Sequence, residues 1–369
     1  MRPLENIFVV DLSQNLAGPY CTQTLGDLGA EVLKVEPPAG DPARTWGPPF
    51  VAGDSPLFLS ANRNKQGITL DLKREEDRTI LHEHLSRADI FLHSYRAGVI
   101  ERLGFGVEEM RARYPRLIYC TVSAYGTHGP LHDQPGFDPL MQARSGLISV
   151  TGQPGHTARI GTSIVDMGTG LWATIGILAA LRERDVTGEG AHVGAALFDT
   201  AIAWNAYHIM NYMASGVVPG PVGTAFPTIV PYDTFPTSDG RLLIAAANDG
   251  LFARLCRALE LHDLLADPRA ATNSERLAAK AFVYEQLNAA TQRHTMAELE
   301  AKLQTAGVPC APVLDVAQVV VEPQTIATQM LQKMDLPGAP GTTLVAAPIK
   351  LNGVRPGIGS APPRRTTRQ

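Results

Sequence analysis

The sequence predicts an α/β protein: a large domain with a mostly parallel, doubly wound sheet, and a smaller α+β domain. Two observations predict it. Short runs rich in Val, Ile and Leu alternate with helix-period segments through the first third of the chain, and the pattern changes beyond the Pro- and Gly-rich stretch Gly216–Pro231. The size agrees, since 369 residues, 44% hydrophobic and 18% charged, suffice for a large domain carrying a small one.

Ile7–Asp11 is an apolar run closed by an acid. Pro19–Gly29 follows with helical spacing (Tyr20, Thr24, Leu28) and a glycine stop, and Glu31–Glu36 reads as the next strand, completing a βαβ unit. The same grammar gives a strand at Ile68–Leu72, a charged helix from Arg74 to Arg87, a strand at Asp89–His93, a short helix at Val107–Arg113 and a strand at Arg116–Val122. In such a sheet, ligands bind beyond the carboxyl ends of the strands. From Ile164 the pattern turns helical, with Gly170–Glu183 and Val193–Met213 apolar on more than one face and so expected to be buried. Past the linker, strands at Tyr232–Phe235 and Leu242–Ala247 flank the turn Ser238-Asp239-Gly240, and helices follow at Asp249–Glu260, Glu275–Arg293 and Met296–Ala306. Thr272 with Glu275, and Thr295 with Glu298, have the spacing of capping boxes. The expected organisation is therefore 1–215 for the first part of the large domain, 216–231 for the linker and 222–318 for the small domain. Residues 319–369 return to the large domain and end in a frayed basic tail, Arg364, Arg365 and Arg368.

Thirty-two Lys and Arg against 36 Asp and Glu give a net charge of −4, and no block of like charge marks a nucleic-acid or membrane partner. The longest apolar run, Gly170–Leu181, is short of the roughly 20 residues a membrane span needs, and Asp11 cuts off the patch Ile7–Val10. A soluble, cytoplasmic protein without a signal peptide is expected. Cys21, Cys120, Cys256 and Cys310 are too far apart for a CxxC or zinc set and sit in apolar surroundings, so they read as buried free thiols. Of the ten histidines only His82/His84 and His128/His132 are close pairs, and no metal site is expected. A dinucleotide reading would use Glu36 as the ribose-binding acid. The loop Ser13–Pro19 opposes it, having one glycine where the pyrophosphate fingerprint needs three. G-x-S-x-G, Walker and H-E-x-x-H motifs are absent.

The most informative segment is Ser163-Ile-Val-Asp166-Met-Gly168-Thr-Gly170, an acid where an extended run meets a helix start. Asp166 could be an N-cap accepting from an amide two or three residues on. The residues by themselves favour that reading; the alternative is a carboxylate nucleophile, with Gly168 and Gly170 clearing space for a bulky substrate and exposing N–H groups to an oxyanion. Asn62–Lys73 and Ser94–Gly104 set cations near predicted strand ends, as ordinary loop charge or as contacts for a large anionic ligand.

Together these segments resemble the class III CoA-transferases (CaiB/BaiF type), the family that includes formyl-CoA transferase, carnitine CoA-transferase and the α-methylacyl-CoA racemases. The resemblance runs through Asn15–Pro19, Leu28–Pro38, Gly40–Arg44, Asn62–Lys73, Tyr95–Leu103, Ser123–Gly126 with Gly129-Pro130, and Gly136–Asp138. It continues through Asp166 with its glycines, Ile229–Tyr232, Asn248-Asp249 and Gly307–Pro309. It implies a Rossmann-like large domain and an interlocked-ring homodimer. It also implies that Asp166 is the nucleophile, supported by the Gly168 and Gly170 amides. CoA contacts would fall on Leu16, Ala17, Leu70, Lys73, Ser94, Tyr95, Arg96, Arg102 and the segment Gln134, Pro135, Gly136, Phe137. The sequence departs from the formyl-CoA transferase pattern at Pro37, where that enzyme has a CoA-binding Arg, at Ser94 for Asn and at Pro135 for Lys. It also lacks that enzyme's glycine-rich lid tetrapeptide.

The implied chemistry moves CoA from an acyl-CoA donor to a free carboxylic acid through an aspartyl anhydride and an aspartyl-CoA thioester, with no metal or redox cofactor. The racemase branch places a His at the position of Phe137, and a phenyl ring cannot carry a proton, which favours transfer. The remaining alternatives are an acyl-CoA racemase or isomerase and a non-catalytic CoA-binding regulatory protein. Ile229–Gly240 resembles members that use succinyl-CoA and dicarboxylic acids such as glutarate, citramalate or malate. A dicarboxylate needs a second cation, for which Arg144, Arg159 and Arg44 are the candidates.

Overall fold

The computed structural model describes residues 2–365, which fall into two compact units. One comprises the chain up to 149, 159–219 and the part from 323 on, and the other comprises 150–158 and 220–322.

The first unit is built on strands β1 (Phe8–Leu12), β2 (Glu31–Glu36), β3 (Gln66–Thr69), β4 (Ile90–His93) and β5 (Ile118–Ser123). A short hairpin of the second unit follows, β6 (Gly152–Gln153) with β7 (His156–Thr157), and then β8 (His192–Ala196) completes the sheet. The order is β3-β2-β1-β4-β5-β8 with every pairing parallel, so the winding reverses between β1 and β4. Val9, Val10, Ile90, Phe91 and Leu92 are wholly buried, as a parallel sheet covered on both faces requires. Val9, Ile90 and Leu92 pack with Cys21 and Leu25 of the helix Ala17–Asp27 and with Ala173 and Ile177 of the helix Ile164–Thr187. Val10 and Phe91 pack with Leu81, Leu85 and Phe105 on the other side. Cys21, Cys120 and Cys256 are buried free thiols, whereas Cys310 is only half-buried.

The helix Ile164–Thr187 extends beyond the predicted Gly170–Glu183 at both ends and stops at Gly188 in the left-handed region (φ 78°). By length and composition it could cross a membrane, with a mean hydropathy of 1.6 in its most apolar window, but half of that window is buried within the fold. It packs most extensively on the helix Ala17–Asp27. Gly170 permits the approach, since a Cβ there would lie 2.5 Å from the Ala17 carbonyl oxygen.

The expected single helix Val193–Met213 is instead strand β8 followed by helices Leu197–Trp204 and Ala206–Ser215. The run His192-Val-Gly-Ala-Ala carries little strand propensity, and its pairing with β5 imposes the extended state. The helix Ala206–Ser215 buries no residue, contrary to its apolar composition. The basic tail also differs from expectation. Pro362 and Pro363 are buried, and Arg364 and Arg365 donate to the carbonyls of Pro337 and Pro38, while Arg368 lies outside the described residues.

The second unit holds a three-stranded antiparallel sheet of β9 (Tyr232–Pro236), β10 (Arg241–Ala245) and β11 (Cys310–Pro312), in the order β11-β10-β9. Phe235, Leu242 and Ile244 pack there with Phe252, Leu287 and Leu299 from its helices. Both capping boxes form, at Thr272/Glu275 and Thr295/Glu298. The predicted helix Glu275–Arg293 is broken at Ala279 into Asn273–Ala278 and Lys280–Thr291.

Candidate active site

A cavity of about 900 Å³ opens in the first unit where the winding reverses. Its walls include Gln14–Gly18 after β1, Ser94–Ala97 after β4, the segment Gln134–Pro139, and Ser163 and Asp166 at the start of the long helix. The amide of Gln14 donates to Ser94 Oγ at 3.0 Å, tying the first two walls together.

Buried charge fixes the wall after β1. Asp11 accepts from Ser13 N (2.9 Å), Ser13 Oγ (2.5 Å), Thr22 Oγ1 (2.6 Å) and Lys65 Nζ (3.2 Å). Burial works against its ionisation, but Lys65, Lys34 and the two hydroxyls outweigh burial and hold its carboxyl below the usual carboxylate range. Burial pushes Lys65 down to about 8, with Asp11 opposing. Lys34 Nζ reaches the Ser13 carbonyl and Asp41 Oδ2, both at 2.9 Å, and Asp41 Oδ1 accepts from Asn15 N at 3.1 Å. That bond secures Asn15 in the left-handed region (φ 67°), and its buried Oδ1 has no hydrogen-bond partner among the described residues. Leu16 is the N-cap of the helix Ala17–Asp27 and its side chain makes no capping bond, and among the described residues no side chain accepts from the Ala17 and Gly18 amides in the cavity wall.

His93, which closes β4, is also fixed. Its Nδ1 accepts from Tyr95 N (3.2 Å), so its Nε2 carries the proton toward Tyr119 Oη (2.9 Å), which donates to the Phe105 carbonyl (2.8 Å). Burial, aided by His192, pushes its pKa down to about 3 and keeps it neutral.

Asp166 is not an N-cap. The helix begins at Ile164 after Ser163, which makes no capping bond, and Asp166 is half-buried in the first turn. The cap comes from Asp138, whose Oδ2 accepts from Val165 N (2.7 Å) and Asp166 N (3.2 Å). Gln142 completes the arrangement, donating to Asp138 Oδ1 at 2.5 Å and accepting from Ile160 N at 2.8 Å. Burial, reinforced by the Asp138 charge, pushes the Asp166 pKa up to about 7.

Gly168 and Gly170 are not placed as the expected amide donors. Both are buried in the body of the helix, where their N–H groups belong to the helical ladder. Their missing side chains admit the Trp204 indole, 2.6 Å from a Cβ at Gly168, and the backbone of Ala17. Of the expected CoA contacts, Leu16, Ala17, Ser94, Tyr95, Arg96, Gln134, Pro135, Gly136 and Phe137 line the cavity with Asp166, and Leu70, Lys73 and Arg102 do not. Leu70 is a core residue and only 2% exposed, whereas Lys73 and Arg102 are exposed outside the cavity.

Arg44 is spent on structure. It meets Glu36 at 2.6 and 2.8 Å and Asp54 at 2.9 Å, which also withdraws Glu36 from any ribose. Arg144 is exposed and off the cavity, and Arg159 lines it. Sequence reasoning did not assign Asp138, Asn15, His93 or Trp46 to the site. A polar residue ending an apolar strand was the available signal for His93, whereas Trp46 meets Phe137 edge-on only through the fold (6.4 Å between rings). Among the described residues no group of three or more His, Cys, Asp or Glu is placed to hold a metal ion.

The family model for CoA-transferase family III matches residues 4–367. The chain is 38% identical to acetyl-CoA:oxalate CoA-transferase of Acetobacter aceti over 354 residues, covering 95% of this chain and 90% of that one. It is 34% identical to human succinyl-CoA:glutarate CoA-transferase over 363 residues, covering 96% and 83%. Its structure is similar to the crystal structure of a CaiB/BaiF family protein from Brucella suis, with a TM-score of 0.89 and 38% identity over 98% of this chain and 96% of that one. Likeness of this extent, in sequence and in structure, leaves one assignment: the chain belongs to CoA-transferase family III.

Proposed function

We propose that the protein moves CoA from an acyl-CoA donor to a free dicarboxylic acid, with Asp166 as the nucleophile. The observation that carries this reading is Asp166 itself, a carboxylate in the cavity wall whose pKa is pushed up to about 7 and whose backbone is clamped by Asp138. A carboxylate with raised basicity is a stronger nucleophile once water is excluded. The names of the relatives support the substrate class, since they act on oxalate, glutarate, mesaconate and citramalate.

Asp166 attacks the thioester carbonyl, the C–S bond breaks, and a mixed anhydride and CoA thiolate result. The thiolate attacks the aspartyl carbonyl, releasing the donor acid as its carboxylate and leaving an aspartyl-CoA thioester. The acceptor carboxylate then attacks that thioester and expels the thiolate. The thiolate attacks the acceptor carbonyl of the second anhydride, giving the new acyl-CoA and freeing Asp166. Each step exchanges a carboxylate and a thiolate, so the cycle draws on no metal or redox group. Each also passes through an oxyanion, and the Ala17 and Gly18 amides, at a helix start in the wall of the same cavity, are the donors this reading assigns to it. Asn15 Oδ1 offers an acceptor for an N–H of the CoA arm. Leu16, Tyr95, Arg96 and the Gln134–Phe137 segment supply the remaining CoA contacts. The exposed Phe137 places no proton carrier at that position, which supports transfer over racemisation.

The reading includes a second copy of the chain as partner. Trp172 and Ile175 of the long helix, and Tyr207, Met210 and Met213 of the next-but-one helix, are all exposed by 47% or more, an apolar display that a subunit interface covers. Sedimentation at micromolar concentration tests this, with a dimer expected.

The test of the function is to incubate the protein with succinyl-CoA and a mixture of short mono- and dicarboxylic acids. Mass spectrometry then looks for new acyl-CoA species and for CoA bound to the protein. New acyl-CoA that disappears with Asp166→Asn is expected. Product formation that survives Asp166→Asn would overturn the mechanism.

A further inference from the structure

A free carboxylic acid entering the cavity meets an unfavourable field. Asp138 lies beside Asp166 at the long helix start, and its charge remains when Asp166 is the neutral CoA thioester that the acceptor attacks. An anionic acceptor therefore needs a cation to hold it there. Among the described residues lining the cavity, the Lys and Arg side chains are Arg96 and Arg159. Arg96 lies on the segment after β4, whereas Arg159 lies on the segment that runs through Ser163 into the Asp166 helix.

The fork of Arg159 is uncommitted. Its Nη1 donates to two carbonyl oxygens of its own segment, Ile160 at 3.3 Å and Gly161 at 3.4 Å, and it pairs with no carboxylate among the described residues. Arg44, by contrast, is closed by Glu36 and Asp54. Arg159 and Asp166 line one and the same cavity, and the chain between them is short. A planar fork with free N–H groups, in the same cavity as the nucleophile, matches the far end of a molecule with a carboxylate at each end.

We propose that Arg159 determines acceptor specificity by holding the far carboxylate of a dicarboxylic acid while the near carboxylate reacts at Asp166. The inference rests on the transfer reading above. It also means that a donor carrying a free carboxylate, such as a dicarboxylic acid monothioester, is gripped by the same residue.

The test uses propionyl-CoA, whose acyl group has no second carboxylate, as donor, and glutarate and its monoamide as acceptors. Wild-type protein is expected to favour the diacid. In Arg159→Gln the KM for glutarate rises about 10- to 100-fold, the size of a lost charge-assisted contact, while kcat and the KM for the monoamide stay within about twofold. Arg159→Lys recovers part of the preference. Formation of the protein–CoA adduct from propionyl-CoA, unchanged in Arg159→Gln, shows that the variant is folded and its nucleophile intact. A variant that keeps the wild-type ratio between the two acceptors, or loses both equally, overturns the assignment of Arg159 and leaves the transfer reading standing. A wild-type protein that forms no glutaryl-CoA overturns the dicarboxylate reading, and the inference falls with it.

Discussion

Asp138 accepts a hydrogen bond from the backbone amide of Asp166 at 3.2 Å, so one carboxylate fixes the helix turn that carries the other while also repelling its charge. Asp138→Asn keeps the shape but puts an NH2 where either Gln142 or the helix amides require an acceptor. The transfer rate is expected to fall about 10- to 100-fold as Asp166 loses its fixed position. The acid limb of the pH–rate profile should move to lower pH, because the repelling charge has gone. A variant with the wild-type rate and an unmoved limb would show that Asp138 does not act on Asp166.

The ionised form of Asp166 attacks and the protonated form does not, so kcat/KM for the acyl-CoA should rise with pH through about 7 and flatten above it. A profile already flat at pH 5 would contradict the raised pKa.

The same shift carries a stability cost. A folded-state pKa above the ordinary carboxylate value means that the folded protein holds this proton more tightly than the unfolded chain. The resulting stability is full at acid pH and is lost as pH rises from about 4 to about 7. Asp166→Asn should therefore abolish transfer, by about a thousandfold or more, yet be more stable than the parent by about 1–2 kcal/mol near pH 8. Near pH 4 the two should unfold alike. Urea melts at both pH values measure the difference, and a variant less stable at pH 8 would refute it.

Gly170→Ala drives a methyl group against the Ala17 carbonyl, which is backbone and cannot swing aside, whereas Gly168→Ala meets the Trp204 ring. The first should cost about 1–3 kcal/mol and the second less, with the CoA KM rising only in the first because its strain reaches the Gln14–Gly18 wall. Thermal melts and a KM series separate them, and equal costs would mean that the ring is as immovable as the backbone.

Lys34 and Asp41 form a fully buried ion pair that holds the same wall. Lys34→Met leaves Asp41 without its countercharge and should cost about 3–5 kcal/mol, much of it recovered in Lys34→Met/Asp41→Leu. A double-mutant cycle in urea reads the coupling. Additive costs would show that the two act independently.

The sheet was legible because β1, β4 and β5 each carry an apolar run, Phe8–Val10, Ile90–Leu92 and Ile118–Cys120, the signal of strands buried on both faces, and β2 sets Val and Leu between its charges. Strand β8 was not, since Gly194, Ala195 and Ala196 carry no preference for the extended state and only the β5 neighbour decides. Asp166 stood out through its place between an extended run and a helix start, but the purpose of its glycines did not. Gly168 and Gly170 look the same whether they admit a substrate or a neighbouring helix, and Trp204 and Ala17 settle that from far along the chain. Asp138 capping a helix that begins at Ile164 is likewise a long-range contact with no local spacing to betray it.

Arg44 and Pro363 meet at 2.8 Å across nearly the whole length of the chain, and the Gly359 and Ser360 amides donate to Asn64. The consequence is one of timing. As the protein leaves the ribosome, the βαβ unit around β1 and β2 can form its hydrogen-bonded ladder early, but one arm of the Arg44 fork and the Asn64 side-chain carbonyl rest on water until residues 359–363 are synthesised. The βαβ unit is made well before those residues and is thus finished only after them.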